Sequence, residues 1–159
     1  MNKDLADTLG NFVLRVCSFV RRYFNGTVPV QTNPVDVDRE IVSRLKSRIQ
    51  EVQENIEVCQ FQKSIRALRA LWADCNWYFD IKKPWVQQKT GMDSAETTLG
   101  LASNLCRSIA ILSAPFIPDT AERIFTQLGI DDNVHALSWT AALDTHAITG
   151  KSLSSNIEP

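Results

Sequence analysis

Apolar residues recur along most of this chain at spacings of three and four, which is the period of an amphipathic α-helix. Five segments share this pattern, and each is long enough for several helical turns. The predicted helices cover about 4–24, 36–55, 57–82, 93–113 and 118–128. The second of them carries a heavily charged face opposite its apolar stripe.

Breaker residues mark several ends of these segments. Asn25-Gly26 ends the first, where glycine suits a left-handed cap. Pro84 stops the third, because proline lacks an N–H and disfavours helix in the residue before it. Asp93, followed three positions later by Glu96, resembles a capping box for the fourth segment. Residues 87–94 before it are predicted to be a polar link, and Pro118 suits the first position of the fifth helix.

The pattern contains no convincing strand, and the predicted loops are short. An antiparallel bundle of about five helices is the natural way to bury five apolar stripes, so we predict an all-α fold. The length of 159 residues suits a single domain, 1–159. Residues 130–159 are weakly patterned, and we expect a C-terminal tail there, with a short helix around Trp139.

Composition narrows the function classes. With 17 Lys+Arg against 18 Asp+Glu, the net charge is −1, which excludes binding of polyanions through bulk charge. No apolar run reaches the length of a membrane span, and the N-terminus does not resemble a signal peptide. The four cysteines lie in helical patterns without C-x-x-C spacing. We therefore expect a cytoplasmic protein with buried, reduced thiols.

Motifs for catalysis are missing from the sequence. It has no phosphate-binding loop, no dinucleotide-binding glycine motif and no nucleophile elbow. Its two histidines, His135 and His146, have no cysteine or second histidine at metal-ligand spacing. We therefore predict no catalytic residues, no metal site and no cofactor within this chain.

Three polar residues of the first helix fall together beside its apolar stripe. They are Asn11, Arg15 and Arg22, and the first two are neighbours because they are four positions apart. Asparagine offers a donor and an acceptor, and arginine a rigid fork of donors, so together they could read the edge of an unstacked base. The alternative is an ordinary solvated face.

Trp85 is the second unusual feature, because it follows Lys82-Lys83-Pro84 just past the end of a helix. A tryptophan on a loop beside two lysines could be a platform on which a nucleic-acid base stacks. The alternative is an indole tucked back over the end of the bundle.

Three segments carry a resemblance to a known family. The first is DLADTLGNFVLR (4–15), the second CNWYFDIKKPW (75–85) and the third APFIPDTAERIF (114–125). They resemble, in this order, the patterns DLAN-LGN-(x)3-R, AN-x-Y-(x)5-PW and PFMP-x-TAE-x-I of the anticodon-binding domain of methionyl-tRNA synthetases. A fainter likeness to the family's closing pattern lies at 153–158.

This resemblance implies a specific role for the three candidate residues. Asn11 and Arg15 would hydrogen-bond anticodon bases, and Trp85 would stack on the first anticodon base. The expected partner is the methionine tRNA with its CAU anticodon, and Lys82, Lys83 and Arg22 would contact its backbone.

The resemblance also implies a larger enzyme. The family's His-x-Gly-His and Lys-Met-Ser-Lys-Ser signatures are absent, and Met1 looks like an added start. We therefore expect a piece that works with its own catalytic domain and is inactive alone, since ATP and methionine would bind that domain. The family's dimerisation extension is also absent, so we expect a monomer.

Two alternatives stay open at this point. One is the anticodon-binding domain of a sibling class I synthetase, such as the valine, isoleucine, leucine or cysteine enzyme. The other is a helical protein-interaction module without an RNA role, which would show an exposed apolar patch.

Overall fold

The computed structural model describes the backbone of residues 5–155 and the side chains of residues 8–155. Its α-helices are α1 (Asn11–Phe24), α2 (Asp36–Glu57), α3 (Phe61–Lys82), α4 (Pro84–Thr90), α5 (Met92–Ser113) and α6 (Pro118–Gln127). A π-helical turn, Leu5–Gly10, precedes α1, and two 3-10 turns, Val134–Ala136 and Trp139–Leu143, follow α6. The all-α prediction is confirmed. The predicted first residue of the first helix, Asp4, lies outside the described residues.

Helix α5 is the centre of the molecule. Every residue from Thr97 to Ser113 is buried. A helix buried on all sides must be surrounded by other elements, and α1, α3, α4, α6 and the 3-10 turn Trp139–Leu143 all pack against it. The outer helices are therefore arranged around one shared axis.

Gly100 allows the loop between α1 and α2 to cross α5 at close range. A Cβ atom on Gly100 would lie 2.5 Å from the carbonyl oxygen of Pro29. Only glycine permits this approach without displacement of the backbone.

Helices α2 and α3 form an antiparallel hairpin. Arg44 and Arg48 of α2 donate to the two carboxylate oxygens of Asp74 at 2.9 and 3.2 Å. Near the turn, the Ser64 hydroxyl donates to the Val52 carbonyl at 3.2 Å. The contacts pair later positions of α2 with earlier positions of α3, which fixes the antiparallel direction.

The prediction of four buried thiols is wrong for one cysteine. Cys17, Cys75 and Cys106 are buried, whereas Cys59 is exposed. Cys59 lies in the turn between α2 and α3 with φ of 57°. A tight turn follows the surface of the fold, so its side chain faces solvent even though the neighbouring sequence is helical.

The prediction of a polar link at 87–94 is wrong, because Pro84–Thr90 form α4, Met92–Ser113 form α5, and only Gly91 lies between the two helices. Pro84 does end α3, but it also occupies the first position of the next helix, where its missing N–H costs nothing. The expected capping box at Asp93 and Glu96 is also not formed, since Gly91 precedes α5 in an extended conformation and no side chain caps the helix.

The C-terminal segment is docked along α5 rather than loosely attached. The Ser108 hydroxyl donates to the Ala142 carbonyl at 2.6 Å, and Asn104 Oδ1 accepts from the Ile148 amide at 3.0 Å. The Leu153 amide donates to the Gly26 carbonyl at 2.7 Å. These contacts use main-chain groups of the tail, which hydrophobic periodicity cannot reveal. The final residues of the family-like closing segment, 156–158, lie outside the described residues.

Within the part of the chain that is described, none of the helices combines the length and the hydropathy needed to cross a membrane.

Candidate nucleic-acid interface

The first part of the site lies on α1, whose inner face anchors it to the bundle. Phe12, Val16 and Val20 are fully buried on that face. Asn11, on the outer side, is exposed at the first α-helical position. Arg15 follows one turn later, about 6 Å along the helix axis. The amide and the guanidinium therefore belong to one side of one rigid helix.

The second part is the indole of Trp85 at the beginning of α4. Lys83 adopts a left-handed conformation, with φ of 47°, and so redirects the chain between α3 and α4. The Trp85 ring is half-buried, with ring centroids 6.1 Å from Phe19 and 6.2 Å from Phe79. The indole therefore packs on the end of the bundle, as the second interpretation expects, and keeps an exposed portion. Stacking of a base on this ring stays a prediction.

Arg15 and Trp85 come together in space. The Arg15 Cζ atom lies 5.5 Å from the Trp85 ring centroid and 4.9 Å from that of Phe79. Its Nη2 atom donates to Asp80 Oδ1 at 2.6 Å. The Arg15 side chain is 26% exposed and that of Asp80 is 59% exposed, so the pair lies at the protein surface. The guanidinium is thus held in one orientation beside the indole.

Sequence reasoning missed three contributors to this arrangement: Phe19, Phe79 and Asp80. Asp80 lies 65 positions from Arg15 along the chain, so no spacing rule could pair them. Phe79 was visible only as part of the buried stripe of its helix. Phe19 was likewise counted as an apolar position, and its contact with Trp85 depends on how α4 folds back.

Asn76, which belongs to the second family-like segment, has a structural role nearby. Its Nδ2 atom donates to the Thr8 carbonyl at 2.9 Å and to the Trp72 carbonyl at 2.9 Å. The first contact ties α3 to the π-helical turn that precedes α1. Asn76 therefore helps to hold the start of α1, and with it Asn11, against the bundle.

The three residues expected to contact the RNA backbone differ in their exposure to solvent. Lys82 is only 8% exposed and pairs with Asp38 at 2.9 Å, so the expectation that it meets an RNA backbone is wrong. A buried, paired ammonium cannot reach a phosphate without breaking that pair. Lys83 and Arg22 are exposed.

An aromatic row continues from Trp85 along α1. The Tyr23 ring stacks on Phe19 with centroids 5.5 Å apart and an interplanar angle of 19°. Arg22 Cζ lies 5.5 Å from the centroid of the Tyr23 ring. Arginines thus lie at both ends of the row Tyr23, Phe19 and Trp85. This gives an aromatic surface flanked by two guanidinium groups, of which that of Arg15 is paired with Asp80.

The sequence of this chain also matches a known protein family. Residues 28–155 match the family described as the anticodon binding domain of methionyl tRNA ligase. The chain belongs to this family. The matched range begins after α1, so it covers Trp85 but neither Asn11 nor Arg15.

Curated relatives extend the likeness over most of this anticodon-binding domain. A methionine–tRNA ligase of Cereibacter sphaeroides is 40% identical over 141 residues, which are 89% of this chain and 24% of the relative. A methionine–tRNA ligase of Methanopyrus kandleri is 33% identical over 144 residues, 91% of this chain and 21% of the relative. The domain thus spans about a quarter of the length of the curated relatives it matches.

Solved structures agree with this assignment. Mycobacterium tuberculosis methionyl-tRNA synthetase bound by methionyl-adenylate superposes with a TM-score of 0.87 at 26% identity, covering 98% of this chain and 31% of that one. The apo form of the same enzyme gives a TM-score of 0.88 at 26% identity, with 98% and 32% covered. These matches favour the anticodon-binding domain of a methionyl-tRNA ligase over the two alternatives, which are the domain of a sibling class I synthetase and a helical protein-interaction module.

Proposed function

We propose that this domain reads the CAU anticodon loop of the methionine tRNA with Asn11, Arg15 and Trp85, which together are called the anticodon surface below. The observation that carries the proposal is the contact between Arg15 and Trp85, at 5.5 Å from Cζ to ring centroid. It puts a flat stacking partner and a fork of hydrogen-bond donors side by side. RNA loops are recognised in this way, because their unstacked bases offer both a flat face and a polar edge.

Trp85 supplies the stacking face. Its ring is backed by Phe19 and Phe79, so it loses little freedom when a base arrives. A base that stacks on an aromatic side chain gains about 1–3 kcal/mol. Since every base has a flat face, this contact gives affinity rather than sequence choice.

Arg15 and Asn11 supply the choice between bases. Arg15 is already oriented by Asp80, so its remaining N–H groups point in fixed directions. Asn11 is exposed at the first position of α1, so its side-chain amide can be reached from solvent. A wrong base would leave such donors and acceptors unpaired, which costs more than a correct pair gains. Arg22 and Lys83, both exposed, would meet neighbouring phosphates.

The wider setting of the domain is part of the proposal. The curated relatives are named methionine–tRNA ligases, and one solved relative holds methionyl-adenylate. We propose that this domain acts together with a catalytic domain that uses ATP and methionine. Binding energy at the anticodon would then hold the acceptor end of the tRNA at that distant site. A monomeric state and a cytoplasmic location remain predictions.

Replacement of Trp85 tests the proposal directly. We expect Trp85→Ala to weaken binding of a CAU anticodon stem-loop by about 1–3 kcal/mol, because the stacking face is lost. Fluorescence anisotropy of a labelled stem-loop measures this change. Trp139→Ala is the matched control, since it removes a half-buried indole in the C-terminal segment. Equal affinity of the wild type and Trp85→Ala would overturn the proposal.

Stem-loops with other anticodons distinguish sequence-independent stacking on Trp85 from base-specific hydrogen bonds with Asn11 and Arg15. The wild-type domain should prefer the CAU loop to loops with valine or isoleucine anticodons. A uniform affinity for all loops would mean that Asn11 and Arg15 read nothing, even if Trp85 contributes to binding.

A further inference from the structure

A buried charged network holds the end of α3, three residues before Trp85. Asp38, in the first turn of α2, is only 1% exposed. Its carboxylate accepts hydrogen bonds from the Val35 amide at 2.7 Å, the Tyr78 hydroxyl at 2.6 Å and the Lys82 ammonium at 3.0 Å. Lys82 Nζ also lies 2.9 Å from the other carboxylate oxygen. One side chain therefore ties the start of α2 to the last turn of α3.

The buried polar groups of Asp38, Tyr78 and Lys82 pair with one another, and this pairing fixes their geometry. Burying a carboxylate and an ammonium is costly unless each finds its partners. Here Asp38 receives both the charge of Lys82 and a neutral donor from Tyr78. Burial, together with the nearby Asp38 carboxylate, raises the pKa of Tyr78, so its hydroxyl stays protonated and remains a donor. Such a network holds its members in one geometry, since any displacement leaves a buried polar group unpaired.

The position of the network in the chain is the important point. Lys82 is the last residue of α3, and the next residue, Lys83, has a left-handed φ of 47°. Pro84 and Trp85 then begin α4. A left-handed conformation is uncommon for a non-glycine residue, so contacts that fix the neighbouring chain help to maintain it. The anchored Lys82 side chain lies directly before that turn and supplies such a constraint.

We propose that Asp38, together with Tyr78 and Lys82, is a positioning group for Trp85. The network fixes the end of α3, and the rigid turn at Lys83 then delivers the indole to Arg15. Asp38 does not contact the RNA and acts only through the path of the chain. This inference rests on the proposed function for its meaning in RNA binding, but its structural part can be measured without RNA.

Two substitutions break the network with little change in shape. Asp38→Asn removes the charge that Lys82 requires, and Lys82→Met removes the ammonium and keeps a long side chain. With 5-fluorotryptophan incorporated in the 159-residue chain, ¹⁹F NMR reports each of its four indoles separately. The Trp85 resonance is assigned from Trp85→Phe. We expect this resonance to shift or broaden in both variants, whereas that of Trp139 stays in place.

The same variants should bind RNA less tightly. We expect the affinity for the CAU stem-loop to fall by about fivefold or more, which equals the smallest loss expected when stacking fails. Binding is measured at a temperature where circular dichroism shows each variant to be folded. If Asp38→Asn or Lys82→Met does not fold, Tyr78→Phe gives the answer, because it removes a single hydroxyl from the network.

Ser64→Ala is the control for a purely structural effect. Ser64 is fully buried and bonds the Val52 carbonyl near the other end of the same hairpin. It lies about 27 Å from Lys82 along the axis of α3. We expect this variant to lose stability while its Trp85 resonance and its RNA affinity stay unchanged.

The outcomes separate the two proposals. If the network variants lose stability but leave the Trp85 resonance unchanged, Asp38 serves only the hairpin and the inference is wrong. If the wild type fails to bind the stem-loop, the proposed function fails, whereas the ¹⁹F spectra still decide whether Asp38 positions Trp85.

Discussion

Arg15 combines contacts that no other side chain can reproduce. Its guanidinium donates to Asp80 at 2.6 Å and lies within 5.5 Å of the ring centroids of Phe79 and Trp85. A planar fork can donate along its edge while its face lies on an aromatic ring, whereas an ammonium behaves as a point charge. The orientation of Arg15, and not its charge alone, should therefore determine its role.

Arg15→Lys tests this view at the residue scale. We expect affinity for the CAU stem-loop to fall by about 1 kcal/mol or more, because lysine keeps the charge but loses the fork. Titration of the labelled stem-loop measures the change. Arg66→Lys is the control, since Arg66 is exposed near the turn between α2 and α3. If the lysine variant at position 15 binds as tightly as the wild type, Arg15 contributes charge only.

Some of these residues could be predicted from the sequence and others could not. The helical period places Asn11 and Arg15 on the flank of α1, since that period is local and needs no tertiary information. The sequence suggests a contact between Lys82 and the RNA backbone, because Lys82 stands beside Lys83 and close to Trp85. Its burial depends on Asp38, 44 positions away, and hydropathy cannot show that two distant charges will pair inside the protein.

Close packing of the helices makes a sharp prediction at the scale of elements. We expect Gly100→Ala to lower the free energy of unfolding by about 1–3 kcal/mol, because the new methyl group would lie 2.5 Å from the Pro29 carbonyl oxygen. Urea denaturation followed by circular dichroism measures the loss.

Gly91→Ala is the matched substitution just before the same helix. A Cβ atom there would meet nothing closer than the Ser94 hydroxyl oxygen at 4.0 Å, and the backbone is extended. We expect a change within about 0.5 kcal/mol. Equal losses in the two variants would show that the contact between Gly100 and Pro29 is not tight.

The predictability of the helices follows their length. The five long helical segments are predictable because each repeats its apolar stripe over several turns and has proline or glycine near at least one of its ends. Helix α4 has seven residues, too few for a period to emerge, and it begins at Pro84, which the sequence offers equally well as a stop. The docked tail was missed for another reason, since its contacts with Asn104 and Ser108 use backbone atoms.

Burial of weak acids gives a prediction for the whole molecule. Burial raises the pKa of the Cys17 thiol from 9.0 to about 11, and it also raises the pKa values of Cys75, Cys106 and Tyr78. The unfolded chain loses these protons at ordinary pKa values, while the folded chain keeps them. Above the unfolded pKa, the unfolded state therefore binds fewer protons, and stability falls as pH rises.

We expect the free energy of unfolding to decrease between about pH 9 and pH 11, with each buried acid adding a slope of up to about 1.4 kcal/mol per pH unit. Urea denaturation at a series of pH values measures this slope. Cys17→Ala should make this slope less steep, because one buried thiol no longer contributes to it. A stability that does not change over this range would contradict the assignment of these groups as buried and protonated.

The contact between Arg15 and Trp85 has a consequence for how the domain behaves with its ligand. These two side chains come from distant parts of the chain, and only the docking of α1 onto the junction of α3 and α4 unites them. No short peptide from this protein would retain the contact between Arg15 and Trp85. An RNA loop bound to both side chains would stabilise the docking of α1 on this junction, so the melting temperature of the domain should rise with RNA concentration.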